Sequence, residues 1–288
     1  MTSRIQYNSP DTSGSFGLPY HYEMVADSSR VHPFREALEH VSKGTIVLES
    51  GTGSGILSLI AAKAGAERVY TFEIDPKIGA LAIANFQRSG FANIVFGQKD
   101  VLDVTLADLG GRRPGVVVAE NLSTWQVTEP EIEVLNHINK HLATAETVRI
   151  PTRIFNSVEL AESQYRFEDL ITIRTHYFQF SGIQRPTILS PRALFEEIDL
   201  RRINRTSLEK AIEVEVVHSG ILNCLRLTSP LEVYRHITFG GSDSLMPPVV
   251  VPLREDLPVR RGDRVRIEIA YETCTNWEQF GCSAGKIT

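Results

Sequence analysis

TIVLESGTGSGILSLIAAKAG, residues 45–65, is the stretch of sequence that decides the fold. It opens with a β-branched run, continues with glycines at positions 51, 53 and 55, and closes with helix-forming residues before Gly65. This pattern predicts a strand, a tight turn and a helix. Glycines in the turn let the backbone approach a ligand closely, where side chains would block the way.

Further strand and helix patterns surround this unit. The sequence predicts strands over 45–48, 69–72, 94–96 and 115–119, and helices over 56–64 and 77–89. Strands that alternate with helices predict an open parallel sheet of the α/β class. Ahead of the sheet, apolar residues at near-helical spacing predict two short helices that are separated at Pro33.

The pattern changes after Pro151. Polar and apolar residues alternate over 212–217, 221–227 and 265–271, which predicts a β-rich second domain, and a helix is predicted over 191–200. We therefore expect a mobile N-terminal arm over residues 1–19, with order beginning near Tyr20. An α/β domain over 20–150 and a β-rich domain over 151–288 follow it.

Composition argues against several classes of protein. A net charge of −5, with both signs mixed along the chain, argues against a nucleic acid or an anionic membrane as partner. Three scattered cysteines are too few for a disulfide framework or a thiolate metal site, so we expect no metal and a cytoplasmic location. The first 14 residues lack an apolar signal segment, and the most apolar stretch, 55–66, is shorter than the roughly 20 residues of a membrane span. These features predict a soluble protein.

The spacing of the glycines selects the ligand. A dinucleotide-binding turn needs a glycine where Ile56 stands, and no Gly-Lys-Ser/Thr phosphate loop follows. Gly-x-Gly-x-Gly is the form that occurs with S-adenosylmethionine. Glu73 ends the second predicted strand, where a carboxylate accepts both ribose hydroxyls, and Asp100 and Val101 follow the third, where they meet the adenine. An ordinary tight loop explains the glycines alone, but it leaves the two acids unexplained.

Four segments resemble the protein arginine methyltransferase family. They are HYEMVADSSRVHPFREAL (21–38), VLESGTGSGILSLIAAKAGAERVYTFE (47–73), VVVAENLSTWQVTE (116–129) and RIPTRI (149–154), and VRRGDRVRIEI (259–269) is similar to a hairpin near the family's C-terminus. The resemblance implies a class I S-adenosylmethionine-dependent methyltransferase that acts on the guanidino group of arginine. It also implies a Rossmann-like domain, a β-barrel with an inserted helical dimerisation arm at about 165–205, and a homodimer.

Candidate site residues follow from the same resemblance. Glu120 and Glu129 are placed as the two glutamates of the family's catalytic loop, and Asp27 and Trp125 as substrate contacts. The predicted cofactor contacts are His21, Met24, Arg30, Glu49, Gly51, Gly53, Gly55, Glu73, Asp100 and Val101, with Arg30 on the methionine carboxylate. A surface ion pair between Asp27 and Arg30, and anchoring of the loop by Trp125, are the alternatives.

Two carboxylates suit a guanidinium, which stays protonated at neutral pH and meets a second cation in the sulfonium of the cofactor. They offset the repulsion between the two cations and aim one nitrogen at the methyl group. Nine residues on a helix turn by about 900°, so Glu120 and Glu129 converge only on a loop. Without the resemblance, two solvated surface glutamates would be the better explanation.

Two departures from the family concern the acceptor side. The family's paired tyrosines have no counterpart near Asp11 and Ser15, and Ser244-Leu245-Met246 stands in place of its Thr-His-Trp loop. The pattern of the 288 residues also predicts no extra docking module. These features favour free arginine or a small guanidino metabolite over arginine in proteins. The alternatives are another nucleophile (an amine, a hydroxyl or a carbon) and a cofactor-binding homologue without activity.

Overall fold

The computed structural model describes residues 17–287, so most of the predicted N-terminal arm lies outside the described residues. The first helix begins at Leu18, slightly ahead of the predicted start of order at Tyr20. The first part of the chain comprises α1 (Leu18–Ala26), α2 (Ser28–Val41), β1 (Ile46–Ser50), α3 (Ile56–Lys63), β2 (Arg68–Glu73), α4 (Pro76–Ser89), β3 (Ile94–Gln98), β4 (Val116–Ala119), α5 (Glu131–His141) and β5 (Val148–Ile150).

Five strands form a parallel sheet in the order β3-β2-β1-β4-β5. Every residue of β1 and of β4 is buried, because helices cover both faces of such a sheet. The chain winds outward in opposite directions from β1, through β2 on one side and β4 on the other. The carboxyl ends of β1 and β4 therefore border a crevice, which is where open α/β sheets bind ligands. The predicted α/β class is confirmed.

The two N-terminal helices separate at Asp27, and the prediction of a break at Pro33 is wrong. Asp27 has an extended backbone, and its Oδ1 accepts hydrogen bonds from the Ser29 and Arg30 N–H groups. A carboxylate in this position caps a helix and ends the preceding one. Pro33 lies inside α2, which tolerates the loss of one N–H donor.

The sequence-based prediction missed α5 and β5. α5 is amphipathic, with a buried face that includes Ile132, Leu135 and Ile138, acids in its first turn and Lys140 and His141 in its last turn. The charges of Glu133 near its start and Lys140 near its end complement the helix dipole. The longest described helices, α2 and α4, have 14 residues each, and within residues 17–287 no helix has the length and apolar character that a membrane span requires.

The second part of the chain consists of antiparallel strands. They are β6 (Arg153–Glu162), β7 (Arg166–Phe167), β8 (Ile171–Thr172), β9 (Tyr177–Phe178), β10 (Thr187–Ile188), β11 (Ala193–Asp199), β12 (Ser207–Glu215), β13 (Gly220–Thr228), β14 (Leu231–Tyr234), β15 (Ile237–Phe239), β16 (Val249–Val259), β17 (Arg264–Glu272) and β18 (Gly281–Lys286). β6 is central, because it pairs with β10, β11, β13 and β14. A separate sheet has the order β12-β17-β18. Leu160 of β6 and Ile267 of β17 belong to one apolar core, so the two sheets enclose it as the predicted barrel would.

The helix predicted over 191–200, and with it the helical character of the arm, is wrong. Ala193–Asp199 forms β11 and pairs with β6, with Phe195 and Ile198 buried and a register shift between Leu194 and Glu196. That irregularity spaces the buried side chains three apart, which imitates a helical period. All of 165–205 lies in the described part of the chain and contains no helix. Within it, β7 and β8 form a hairpin whose four strand residues are exposed.

Gly55 joins the glycine turn to α3. Its φ of +86° is in the left-handed region, and a Cβ added there would lie 2.6 Å from a ring carbon of Phe86 in α4. Glycine is therefore required for two reasons, the backbone conformation and the close approach of α4.

We expect Gly55→Ala to destabilise the protein more than Gly90→Ala does. Gly90 has a similar φ of +73°, but no atom lies within 4 Å of an added Cβ, so its substitution costs only the left-handed backbone, about 1 kcal/mol. Crowding against Phe86 adds about 1–3 kcal/mol for Gly55→Ala. Urea unfolding of both variants measures the difference, and equal losses would contradict the packing role of Gly55.

Candidate active site

A cavity of about 460 Å³ opens at the carboxyl edge of the parallel sheet. α1, α2 and the segments that follow β1, β2, β3 and β4 supply its walls. It brings together most of the candidate residues: His21, Met24, Arg30, Glu49, Gly51, Gly53, Glu73, Asp100, Val101, Glu120 and Glu129. One cavity thus joins the glycine turn to the two-glutamate segment, although the sequence separates them by some 70 positions.

The glycine turn forms a close-fitting cradle. Gly51 and Gly53 have φ of +73° and +53°, and a Cβ on Gly51 would lie 2.5 Å from the Asn121 side-chain nitrogen. The Gly53 N–H donates to Glu73 Oε2 at 2.9 Å, and the Asp75 N–H donates to Glu73 Oε1 at 3.0 Å. These bonds fix the Glu73 carboxylate at the wall of the cavity, and each of its oxygens has a second lone pair that can accept a further donor.

Glu49 has a different environment from Glu73. It is 3% exposed, and the Ser58 and Thr71 hydroxyls donate to its Oε2. Burial raises the pKa of Glu49 to about 8, and the two hydroxyl bonds oppose that rise only in part. The Glu49 carboxyl is therefore largely neutral at pH 7, and it supports the turn without adding charge to the cavity.

Arg30 and Glu120 form an ion pair inside the cavity. Their side chains are 8% and 14% exposed, and Arg30 Nη2 donates to Glu120 Oε2. Burial raises the pKa of Glu120, and the adjacent Arg30 guanidinium opposes that rise. Glu120 Oε1 is buried and accepts no hydrogen bond from residues 17–287, which leaves an acceptor suited to a further N–H donor.

Glu129 is the second acid on this side of the cavity. Burial raises its pKa to about 8; the charge of Glu120 adds to the rise and that of Arg30 opposes it. A cation bound beside both glutamates would favour their ionised forms. The pair is therefore arranged to hold a positive ligand group rather than to persist as two buried anions.

The segment between the two glutamates is a loop with a short 3₁₀ turn, Thr124–Gln126, as their convergence requires. Trp125 does not line the cavity, so its prediction as a substrate contact is corrected. It is fully buried against Phe195, Tyr271 and Phe280 in the barrel core, and its Nε1 donates to the Thr228 carbonyl at 3.2 Å. Large apolar area and one satisfied donor make it the anchor of the loop.

A buried polar network reinforces this anchor. The Gln126 and Asn156 amides bond reciprocally at 2.7 and 3.2 Å, and Ser229 Oγ donates to Asn156 and accepts the Trp125 N–H. The Cys274 N–H donates to the Gln126 carbonyl at 3.1 Å. Strands β6, β13 and β17 and their flanking segments therefore fix a loop that belongs to the first domain.

Asp27 and Gly55 also lie outside the cavity lining. Burial favours a higher pKa for Asp27, but bonds from Ser242, Ser244, Ser29 and the Arg30 N–H outweigh it and lower the pKa to about 2. Ser244 Oγ donates to Asp27 Oδ2 at 2.5 Å, from the loop where the family has Thr-His-Trp, and the adjacent Leu245 lines the cavity. Asp27 thus caps α2 and ties it to the second domain, and its prediction as a substrate contact is corrected.

Several cavity residues were missed from the sequence. Tyr20, Asn121, Thr128 and Leu245 line the cavity, but each belongs to a common residue type in a segment without periodicity. Within residues 17–287 no group of three or more His, Cys, Asp or Glu side chains has the arrangement of a metal site.

Comparisons with known proteins agree with this architecture. A family model described as ribosomal protein L11 methyltransferase (PrmA) matches residues 35–144. The chain is 30% identical over 273 residues to an uncharacterized protein of Methanocaldococcus jannaschii, covering 92% of this chain and 96% of that one. It is 24% identical over 278 residues to an arginine N(omega)-methyltransferase of Streptomyces achromogenes subsp. streptozoticus, covering 89% and 77%. The structure of the Trypanosoma brucei PRMT1 enzyme-prozyme heterotetrameric complex with AdoHcy has the same fold, with a TM-score of 0.76 at 17% identity and coverage of 96% and 99%.

The raised pKa of Glu129 predicts a pH-dependent stability. The folded protein holds the Glu129 proton up to about pH 8, whereas an unfolded glutamate loses it near pH 4.3, so the folded state loses stability as the pH rises through this window. Glu129→Gln does not titrate. We expect its stability relative to the wild type to increase by about 1–3 kcal/mol between pH 6 and pH 9. Urea unfolding at both pH values measures this change, and a difference that is independent of pH would contradict it.

Proposed function

Because the chain belongs to the protein arginine methyltransferase family of S-adenosylmethionine-dependent methyltransferases, we propose that it methylates a guanidino nitrogen. The convergence of Glu120 and Glu129 on the cavity that holds the glycine turn carries this proposal. We further propose free arginine or a small guanidino metabolite as the acceptor, in preference to arginine in proteins. The Streptomyces relative, by its name an arginine methyltransferase, supports that choice.

S-Adenosylmethionine supplies, when bound, an electrophilic methyl group on a positively charged sulfur. The glycine turn would accommodate it through Gly51 and Gly53, which expose backbone where Cβ atoms would intrude. Glu73 would accept its ribose hydroxyls, and Asp100 and Val101 would meet its adenine. His21, Met24 and Glu49 line the same cavity, and Gly55 orients α3 behind it.

Arg30 lines the same cavity as the glycine turn and the two glutamates. It would pair with the methionine carboxylate of the cofactor, and in the described structure it donates to Glu120. Its charge offsets that of the buried glutamate, so Glu120 has a cation beside it before an acceptor arrives. Arg30 therefore serves both the donor and the acceptor side.

Glu120 and Glu129 would hold the acceptor guanidinium. Two carboxylates match the planar fork of a guanidinium and orient one nitrogen toward the methyl group. Their charge also draws the positive charge away from that nitrogen, which makes it more nucleophilic. One N–H proton must leave, and the Glu129 carboxylate, ionised beside the bound guanidinium, would accept it.

We expect Glu120→Gln and Glu129→Gln each to lower kcat/KM for a guanidino acceptor by about 100-fold or more, because each removes a buried charge that faces the guanidinium. Glu133→Gln is the matched control, since Glu133 bonds Thr273 outside the cavity. Turnover of labelled S-adenosylmethionine measures the effect. Little loss at either glutamate would exclude the guanidinium clamp and favour another nucleophile.

The same assay identifies the acceptor class when it is run with free arginine, an Arg-Gly-rich peptide and a metabolite extract. Label in free arginine or another guanidino metabolite supports the small-molecule acceptor. Label confined to the peptide would contradict it in favour of arginine in proteins, and label in a compound without a guanidino group would contradict both.

We also propose that the chain forms a homodimer through the β7–β8 hairpin. Leu170, Ile171 and Ile173 on and beside this hairpin are 84%, 55% and 54% exposed, which is typical of an apolar contact surface. We expect a dimer in sedimentation velocity at micromolar concentration, and a monomer for Leu170→Asp. Ile203→Asp, at a 62% exposed position outside the hairpin, is the control. A fully active wild-type monomer at that concentration would refute the dimer.

A further inference from the structure

Glu131 is a buried carboxyl that the proposed reaction does not use. It lies in the first turn of α5, two residues after Glu129, and its relative exposure is 0%. The Ser123 N–H donates to its two oxygens at 3.0 and 3.3 Å. These bonds join the loop between Glu120 and Glu129 to the first turn of α5. We call the Ser123–Glu131 pair the clasp.

Ser123 Oγ connects this clasp to Glu129. The hydroxyl accepts the Thr128 and Glu129 N–H groups, both at 3.1 Å, and donates toward Glu131 Oε2 at 3.5 Å. A hydroxyl has one hydrogen and two lone pairs, so all three bonding positions of Ser123 Oγ are used. Glu131 receives the hydrogen, which leaves both lone pairs for the backbone on either side of the Thr128–Glu129 peptide bond.

The loop needs such a restraint because its backbone is strained. Trp125 and Gln126, in its middle, have φ of +58° and +57°, a left-handed conformation that is unfavourable for residues other than glycine. Trp125 is held in the barrel core, and the stretch from Thr128 to Pro130 lies at the cavity. The bonds from the Thr128 and Glu129 N–H groups to Ser123 Oγ restrain this second stretch.

Glu131 supplies this bond without adding charge beside Glu129. The charged groups that act on it are Glu129 and Glu133, and the Tyr271 and Cys274 side chains are its other titratable neighbours. Burial raises the pKa of Glu131 well above its usual range, and both neighbouring glutamates reinforce the rise. A neutral carboxyl still accepts the Ser123 N–H and hydroxyl.

We propose that Ser123 and Glu131 are a positioning pair that fixes the backbone at Glu129, so that its carboxylate meets the acceptor guanidinium in the reactive orientation. This inference rests on the proposed function, in which Glu129 binds the acceptor. It assigns no contact with substrate or cofactor to either residue. A pair that only stabilised the fold would affect cofactor and acceptor alike, whereas this pair affects the acceptor.

Three variants test the pair. Glu131→Gln keeps an uncharged acceptor of the same shape, Glu131→Leu removes it, and Ser123→Ala removes the hydroxyl that holds the Glu129 N–H. We expect Glu131→Gln to retain kcat and the acceptor KM within about threefold. Glu131→Leu and Ser123→Ala should lose about 10- to 100-fold in kcat/KM for the acceptor, because a displacement near 1 Å has that effect on an oriented reaction. Their Kd for S-adenosylmethionine, measured by calorimetry, should stay within about threefold of the wild type.

Hydrogen exchange of residues 123–130 gives a readout that does not depend on turnover. We expect faster exchange at Thr128 and Glu129 in Glu131→Leu and Ser123→Ala, and no change in Glu131→Gln or in the control Glu133→Leu, on the same helix. Wild-type activity and exchange in Ser123→Ala would overturn the proposal, and so would an equal loss of cofactor and acceptor binding. Faster exchange together with a fully active Glu129→Gln variant would instead show that the proposed function of Glu129 is wrong while the clasp exists.

Discussion

Burial of negative charge at the carboxyl edge of the parallel sheet is the constraint on which the rest of the site depends. Glu120 and Glu129 share one cavity, and the Arg30 guanidinium beside Glu120 is the cation that lowers the cost of the pair. Ion pairs in such places rarely stabilise a fold, because each charge has lost its water. The arrangement is instead suited to a ligand that brings positive charge, since such a ligand converts an unfavourable environment into binding energy. A guanidinium next to a sulfonium is a ligand of that kind.

That constraint also explains why the two domains are joined through a loop. The segment between Glu120 and Glu129 contains two residues with left-handed backbone, Trp125 and Gln126, so its own conformational preferences do not fix the positions of the two glutamates. Trp125 inserts into the barrel core, and Gln126 bonds Asn156 of β6. Ser244 reaches Asp27 from the other direction, so the helices that cover the cavity are tied to the same domain. The second domain therefore contributes geometry to the first, in addition to any surface it offers an acceptor.

Much of the first domain follows from local sequence, because each of its elements carries its own signal. The strand, glycine turn and helix of 45–65 are set by β-branched residues, φ-permissive glycines and helix formers that are adjacent in the chain. The failures have a different origin. The cap at Asp27 outweighs the helix-breaking tendency of Pro33. In β11 a register shift gives the buried side chains the spacing of a helix. Trp125 depends on Thr228 in β13, and Asp27 depends on Ser244; both partners lie more than 100 residues away in the sequence. A contact of that range has no local pattern.

Glu131 shows where a local signal did exist. On α5 it falls in line with Leu135 and Ile138, on the face that an amphipathic helix buries, so an acid there contradicts the hydrophobic pattern. The buried glutamates fall into two groups that differ in their surroundings. Glu49 and Glu131 receive hydroxyl or backbone donors, have raised pKa values and act as neutral struts. Glu120 and Glu129 face the cavity beside Arg30, where a bound cation would favour their charged forms. Burial raises the pKa values of all four glutamates. What separates the two pairs is their surroundings: hydroxyl and backbone donors occupy Glu49 and Glu131, whereas Glu120 and Glu129 lie beside Arg30 at the cavity.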